Sequence, residues 1–218
     1  MTAINDKFAK GRFITMDLPD ANDIMAVADG DGFVTWSGQD LYINESVKTG
    51  TLGSIRTSDV GTTVGAKSHR RFRWLPWIRG AVCEVPMQGV GVLTGPMSGC
   101  WLMMYQRNGN LCVGHVGTDS NSAENTRQAK AYWNAFAARA AADIIAGFSP
   151  ATGWKPNPPV QQDGMAQILG LLTPVGKLFA VLAVPQDKTK GFGHTTTYRI
   201  ADIVEMKSAL GSDRTYPA

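Results

Sequence analysis

Cys100 and His115 are the residues whose types and spacing could perform nucleophilic chemistry in this chain. Cys100 directly precedes an apolar segment at residues 101–106, and His115 lies in a second one at 111–116; the two segments flank an Asn-Gly pair at 108–109. Asn-Gly between two apolar runs predicts a β-hairpin, because a type I′ turn requires positive φ at both central residues. The sequence therefore predicts two antiparallel strands with a thiol and an imidazole near their open end.

The register of this hairpin decides whether the two groups can meet. With residues 108–109 as the turn, Leu102 lies opposite His115, and Cys100 lies opposite Gly117. Side chains alternate between the two faces of a sheet, so Cys100 and His115 share a face as diagonal neighbours, roughly 7 Å apart. A slip of one residue would place them on opposite faces. We therefore predict that the hairpin aims the imidazole of His115 at the thiol.

The loop that leads into Cys100 contains Gly95, Pro96, Ser98 and Gly99. Glycines let backbone amides turn toward a small site. Amide donors can stabilise a thiolate, and they can stabilise the oxyanion that forms when a carbonyl is attacked. Ser98 and Gly99 are therefore candidate residues of an oxyanion loop.

The tripeptide Ser-Gly-Cys at 98–100, with Met97 before it and a histidine on the next strand, resembles a family signature. It is similar to the Leu-Ser-Gly-Cys motif of the cytotoxic-necrotizing-factor-like glutamine deamidases, with Met97 in place of the leucine. In the small single-domain lethal-factor toxins of this family, a threonine six residues before the cysteine completes the site, and Thr94 stands there. The resemblance implies Cys100 as nucleophile, His115 as general base and Thr94 as the residue that orients the imidazole.

This resemblance covers residues 94–115 and implies a protein-glutamine deamidase toxin. A thioester would form on the cysteine, ammonia would leave, and water would release a glutamate. The family's targets imply a host translation-initiation RNA helicase or a Rho-type GTPase as the substrate protein, and the single-domain layout favours the helicase. The resemblance also implies a protein that is made in the bacterial cytoplasm, acts in the host cytoplasm after delivery and needs no cofactor; we expect a monomer.

Other thiol chemistries use the same pair of residues. A peptidase would cleave a backbone amide, and a transglutaminase would require a lysine donor. A binding module with an inert buried cysteine is a further alternative, since a single cysteine in an apolar run is often a small buried hydrophobe. A metal site is disfavoured, because Cys83, Cys112 and three scattered histidines lack the spacing of metal ligands.

Length, charge and cysteine content limit the other classes to which this protein could belong. The 218 residues predict one catalytic domain over 1–218. A net charge of +3 is too small to indicate a nucleic-acid partner. Three cysteines, an odd number, indicate free thiols made in a reducing compartment. The sequence shows neither a signal-peptide pattern at its start nor an apolar stretch long enough to span a membrane, so we expect a soluble protein without a membrane partner.

The most basic and aromatic stretch is residues 67–79. Arg73, Trp74 and Trp77 are candidates for contact with the substrate protein. The competing interpretation, which we favour, is a partly exposed strand whose arginine stems cover aromatic rings. His69 is interpreted as a surface residue of this stretch, and His194 is a spare candidate base.

One long amphipathic helix is predicted over 122–146, where apolar residues recur at intervals of three and four residues. Asn121 and Glu124 are predicted to form a capping box at its N-terminus, and Gly147 is predicted to end the helix. We expect this helix to cover the sheet behind the hairpin. Strands are predicted around it, and the polar tail from Gly211 is predicted to fray. The fold class that follows is α+β, with a central mixed or antiparallel β-sandwich flanked by helices and loops.

Overall fold

The structure is a computed structural model that describes residues 9–17, 28–36, 40–46, 48–51, 54–57, 70–154, 166–185 and 195–217. His69 and His194 lie outside these residues, so the interpretations of both histidines stay predictions. The described residues form the following strands: β1 (Phe13–Asp17), β2 (Phe33–Thr35), β3 (Asp40–Ser46), β4 (Lys48–Thr51), β5 (Ser54–Thr57), β6 (Arg70–Trp74), β7 (Val82–Pro86), β8 (Gly91–Thr94), β9 (Trp101–Arg107), β10 (Asn110–Val116), β11 (Ile144–Phe148), β12 (Gln167–Leu172), β13 (Leu178–Pro185) and β14 (Thr195–Met206). Helix α1 (Ala123–Ala140) follows β10.

Seven strands close into a barrel in the order β1-β14-β13-β12-β8-β6-β3. Closure leaves this sheet without an edge strand, so every strand finds hydrogen-bonding partners on both sides. The apolar run that forms β13 is buried over its first six residues, as a strand between two partners in a core should be. The barrel interior is filled by apolar and aromatic side chains, which include Ile14, Phe72, Trp74, Leu93, Leu169, Phe179 and Val181.

A second sheet of five strands, in the order β11-β9-β10-β7-β2, lies against the barrel. One face of this sheet shares an apolar cluster with outward-facing barrel residues such as Val92 and Leu178. The other face packs against α1 through Trp133 and Phe136, as predicted for the face behind the hairpin. The molecule is therefore layered as barrel, sheet and helix.

The predicted α+β class is confirmed, with two β-layers packed face to face. One layer differs from an open sandwich sheet, because it closes on itself into the barrel. Strands β4 and β5 form a small separate hairpin.

The hairpin of β9 and β10 has the predicted turn and register. Asn108 and Gly109 have φ values of 53° and 75°, the positive values that a type I′ turn requires. His115 is paired with Leu102, and the last pair joins Val116 to Trp101. The register rule therefore places Cys100 just beyond the paired region, at the open end of the hairpin.

The prediction for the helix is correct at its beginning and wrong at its end. The N-cap is Ser122, whose hydroxyl accepts from the Asn125 amide at 3.2 Å, so the predicted Asn121–Glu124 capping box is not the cap. The helix ends at Ala140, and residues 144–148 form β11 on the edge of the sheet. Gly147 is a strand residue, where a Cβ would lie 2.6 Å from the Met103 sulfur.

Candidate catalytic site between barrel and sheet

Thr94, Cys100 and His115 reach one region from three different segments. Thr94 is the last residue of barrel strand β8 and lies two positions after Val92, so both side chains leave the barrel toward the sheet. His115 lies two positions after Val113, which faces the same apolar cluster. Cys100 belongs to that cluster as well. The imidazole and the thiol therefore lie on the same face of the sheet.

Thr94 and His115 form the polar contact of this interface. Thr94 Oγ1 lies 3.0 Å from His115 Nδ1, and both side chains are fully buried. The other ring nitrogen, Nε2, is buried and has no hydrogen-bond partner among the residues that the structure describes. Burial lowers the pKa of His115 to about 3, so the imidazole is neutral at physiological pH. In the neutral tautomer that carries its proton on Nδ1, the ring donates to Thr94 Oγ1 and presents a free lone pair at Nε2.

The thiol of Cys100 is hydrogen-bonded to Thr118, which the sequence analysis missed. Sγ lies 3.1 Å from Thr118 Oγ1 and 3.6 Å from the Thr118 carbonyl oxygen. The expected hydrogen bond between Cys100 and His115 is not made in this conformation: among the described residues, Nδ1 pairs with Thr94 and Nε2 has no partner. Burial raises the pKa of Cys100, although the hydrogen bonds from Thr118 oppose that rise. In this conformation the site thus contains a neutral thiol and a neutral imidazole that are not hydrogen-bonded to each other.

A second cysteine lies nearer to the imidazole along the sheet. In the pairing of β10 with β7, Cys83 is directly opposite His115. Directly opposite residues of antiparallel strands share a face, with Cβ atoms roughly 5 Å apart. Burial raises the pKa of the Cys83 thiol far above its usual range, so this group is inert as a nucleophile in the closed interior. Cys83 becomes a neighbour of His115 through the pairing of β7 with β10, and no local signal in the sequence specifies that pairing.

Trp77 is half-buried and supports the Thr118 segment. Its indole Nε1 donates to the Thr118 carbonyl oxygen at 3.0 Å. The Arg79 guanidinium lies 5.8 Å from the Trp77 ring centre and forms an ion pair with Asp119 at 3.1 Å. Of the three candidate substrate contacts, Trp77 is thus the one that lies beside the site.

Trp74 and Arg73 do not form the expected contact surface. Trp74 is buried within the barrel at 4% exposure, so the prediction that it contacts a substrate protein is wrong for this conformation. Arg73 is half-buried and donates to the Pro86 carbonyl oxygen at 3.1 Å. Side chains alternate between the two faces of β6, which explains why Trp74 is buried and Arg73 only half-buried. A side chain that points into a closed barrel has no path to solvent.

The loop before Cys100 contains one anchored amide and two exposed residues. The Met97 amide donates to the Ile168 carbonyl oxygen at 2.8 Å and is committed to the barrel. Ser98 and Gly99 are exposed. The Cys100 amide stabilises the thiolate form of its own side chain. The candidate oxyanion donors of this loop are thus the amides from Ser98 to Cys100.

The C-terminal segment, predicted to fray, instead docks beside the loop. The Tyr216 hydroxyl donates to the Gly99 carbonyl oxygen at 3.2 Å. The Tyr216 amide donates to Asn134 of α1 at 2.7 Å, and the Tyr216 ring lies 5.9 Å from that of Trp101. The prediction of a frayed tail is wrong over residues 211–217, because one aromatic side chain and two helix residues, Asn134 and Trp133, anchor a polar segment.

A groove of about 520 Å³ adjoins this docking point. It is bounded by Asp119 on one side and by Lys130 and Asn134 of α1 on the other. Asp119 directly follows Thr118, so the groove opens next to the residues that hold the thiol. Its lining includes two short, exposed side chains of α1, Ala123 and Ala131.

A separate polar cluster lies on the helix-facing side of the sheet. The carboxylate of Glu84 accepts from Thr35 at 2.8 Å, from Tyr105 at 2.8 Å and from Arg107 at 2.6 Å. Arg107 also pairs with Asp29 at 2.5 Å. Every member of this cluster has a partner, which is how a buried ion pair becomes tolerable. We therefore assign the cluster a structural role.

Within the described part of the chain, no group of three or more histidine, cysteine, aspartate or glutamate side chains is placed to hold a metal ion. Among the same residues, no helix is both long enough and apolar enough to cross a membrane. No model of a known protein family matches the chain, and no curated protein matches it.

Proposed function

We propose that this protein is a cysteine-dependent amidohydrolase that deamidates a glutamine side chain of a protein substrate. The observation that carries the proposal is the buried contact between Thr94 and His115, on the face of the sheet that also holds Cys100. An imidazole held by a neutral hydroxyl, with its second nitrogen free, is the arrangement a general base requires.

Activation would begin with a rotation of the Cys100 side chain from Thr118 toward His115. The hydrogen bond that is lost links two neutral groups, and such bonds contribute only about 1 kcal/mol net. The thiol proton would then pass to Nε2 of His115 as the sulfur attacks the carboxamide carbon. Because the imidazole has a low pKa in the closed interior, it would accept this proton only as a C–S bond forms.

The remaining steps return the enzyme to its starting state. The tetrahedral intermediate expels ammonia, which takes the proton from His115, and a thioester remains on Cys100. His115 then takes a proton from water, the hydroxide attacks the thioester, and the thiol leaves with that proton. The amides from Ser98 to Cys100 would stabilise the oxyanion in both halves of the reaction. The net change is one carboxamide and one water converted to one carboxylic acid and one ammonia.

The substrate proposal follows the resemblance of residues 94–115. A host translation-initiation RNA helicase or a Rho-type GTPase would be the target, in the host cytoplasm after delivery. The groove between Asp119 and α1 would hold the substrate segment, with its glutamine directed at the loop before Cys100. The exposure of Ser98 and Gly99 supports this direction of approach.

A second candidate function is a binding module whose cysteine is inert. The observation that favours it is the 5% exposure of Cys100 together with the raised pKa of its thiol. The two functions differ in one consequence, which is chemical modification of the partner. A peptidase or a transglutaminase would also differ in product, by a cut backbone or by a cross-linked lysine.

The test is mass spectrometry of host-cell lysate incubated with wild-type protein, Cys100→Ser or Cys112→Ser. We expect conversion of a specific glutamine to glutamate with wild type and with Cys112→Ser, because Cys112 faces the helix side of the sheet. Cys100→Ser should show none. Equal conversion by wild type and Cys100→Ser, or none by wild type, would eliminate the deamidase proposal. Cleaved or cross-linked peptides would replace it with one of the other thiol chemistries.

A further inference from the structure

The C-terminal segment is held on α1 by bonds that do not involve the candidate catalytic residues. The Trp133 indole donates to the Arg214 carbonyl oxygen at 3.0 Å, and Asn134 accepts the Tyr216 amide at 2.7 Å. Lys130 lies 4.6 Å from the centre of the Tyr216 ring. These three helix residues fix the backbone and the ring of Tyr216, so its hydroxyl has a defined position.

That position lies at the peptide bond that joins Gly99 to Cys100. The Tyr216 hydroxyl donates to the Gly99 carbonyl oxygen at 3.2 Å. In a trans peptide, the carbonyl and the following amide point in opposite directions, so a bond to one sets the direction of the other. A Cβ built on Gly99 would meet no atom of the described residues within 4 Å, so side-chain packing at this position does not fix the peptide. The bond from Tyr216 fixes the direction of the Gly99 carbonyl.

We propose that Tyr216 is a positioning residue of the Cys100 site, which holds the Gly99–Cys100 peptide so that the Cys100 amide faces the reacting groups. The amide then stabilises the Cys100 thiolate. A second role rests on the proposed function: during glutamine deamidation, the same amide would donate a hydrogen bond to the oxyanion. Tyr216 itself contacts neither the substrate carbonyl nor the proton in transfer.

The phenol is suited to this role because it remains a donor throughout the pH range of the reaction. Burial raises the pKa of Tyr216, and the charge of a Cys100 thiolate would raise it further. The hydroxyl therefore keeps its proton when the thiol loses its own. The ring packs beside Trp101 and Lys130, so a phenylalanine would keep the ring contacts and remove the hydroxyl, with its bonds to Gly99 and to the Thr118 side chain.

The experiment is the pH dependence of Cys100 alkylation by iodoacetamide, followed by peptide mapping, and it needs no substrate. The variants are Tyr216→Phe, Asn134→Ala and the matched control Tyr132→Phe, whose phenol contacts Gln128 on the helix surface. We expect the midpoint of the Tyr216→Phe profile to move upward by about half a pH unit, so labelling at a pH below the midpoint slows about threefold. Asn134→Ala should move it in the same direction, and Tyr132→Phe should not move it.

Coincident profiles for Tyr216→Phe and wild type would overturn the assignment. An unchanged midpoint with faster labelling at every pH would overturn it too, because Tyr216 would then only cover the thiol. Absence of Cys100 labelling across the whole pH range would count against it as well.

Measurements of deamidation distinguish a failure of this inference from a failure of the proposed function. If Cys100→Ser abolishes deamidation while Tyr216→Phe leaves both the profile and kcat unchanged, only the role of Tyr216 fails. If the profile shifts but Cys100→Ser deamidates like wild type, the deamidase proposal fails and the effect on the thiol stands. Where both hold, Tyr216→Phe should lower kcat about tenfold with little change in KM, because an oxyanion donor acts in the transition state.

Discussion

The hydroxyl of Thr94 lies 3.0 Å from Nδ1 of His115, and this hydrogen bond crosses from the barrel to the five-stranded sheet. Both partners are fully buried, so each would be left without a partner if the other were removed. The bond therefore joins two layers of the fold and sets the orientation of the imidazole at the same time.

Replacement of Thr94 should separate these two roles. Thr94→Val keeps the shape and removes the hydroxyl, which leaves Nδ1 unpaired and should lower the free energy of unfolding by about 1–3 kcal/mol. Glutamine deamidation should fall at least about tenfold in kcat, because general base catalysis contributes about 10²–10⁴-fold and depends on the orientation of the ring. Thr94→Ser keeps the hydroxyl and is the matched control. Urea unfolding and deamidation rates measure the two effects, and a Thr94→Val variant with wild-type values in both would contradict them.

Acid should destabilise the protein through His115. Its folded pKa of about 3 lies below the usual 6.5 of an unfolded histidine, so the unfolded state binds more protons between these values. The free energy of unfolding therefore rises with pH across this window and decreases on acidification. Between pH 6.5 and 4.5 we expect a loss of about 2 kcal/mol from this residue.

Urea titrations of wild type and His115→Gln at pH 4.5 and 6.5 check this expectation. The variant should lack most of the slope, because glutamine does not titrate. The lowered pKa values of Asp29, Asp119 and Asp202 act mainly below this window, where each carboxylate loses its stabilising hydrogen bonds on protonation. Equal slopes for the two proteins would show that His115 is not the group responsible.

Removal of the Thr118 hydroxyl should make the Cys100 thiol harder to ionise. Thr118 Oγ1 lies 3.1 Å from Sγ, and its hydrogen bond lowers the thiol pKa against the effect of burial. Thr118→Val should therefore shift alkylation of Cys100 by iodoacetamide to higher pH, by up to about one unit. Thr118→Ser should behave like wild type. A shift to lower pH in Thr118→Val would contradict the assigned hydrogen bond.

Loss of Arg107 should destabilise the fold without changing the thiol. Arg107→Met leaves the buried carboxylate of Glu84 without its cation, and a broken buried pair costs about 3–5 kcal/mol. The double change Arg107→Met with Glu84→Gln should recover part of this loss, because the unpaired charge is gone. Chemical unfolding measures both variants. The alkylation profile of Cys100 should be unchanged in those that fold, since this cluster faces the helix and not the barrel.

The hairpin could be predicted because its determinants are local. Asn108 and Gly109 tolerate positive φ, and alternation of side chains then follows from the turn. The helix was predicted over 122–146 but extends only to Ala140, because local periodicity does not report competition from a sheet edge. Ile144 continues the helical spacing, yet it pairs with Tyr105 of β9, where the strand satisfies backbone groups of both segments.

Other parts of the candidate site were not predictable from local patterns. Thr94 was selected by its resemblance to a family motif, and its catalytic role stays a proposal. Thr118 lies in the turn after the hairpin, where no pattern marks it. Trp74 and Trp77 look alike in the sequence, but the closed barrel buries the first and leaves the second beside the thiol.

The sequence alone determined the hairpin, its register and the face shared by Cys100 and His115, because turn dihedrals and strand alternation act within about twenty residues. Tertiary structure decided which groups contact each other within that region. Packing of the barrel on the sheet brings Thr94 to His115, the choice of β7 as partner brings Cys83 opposite His115, and docking of the tail brings Tyr216 to Gly99, 117 residues away. Such contacts depend on burial of apolar surface between whole layers, which is a property of the assembled fold.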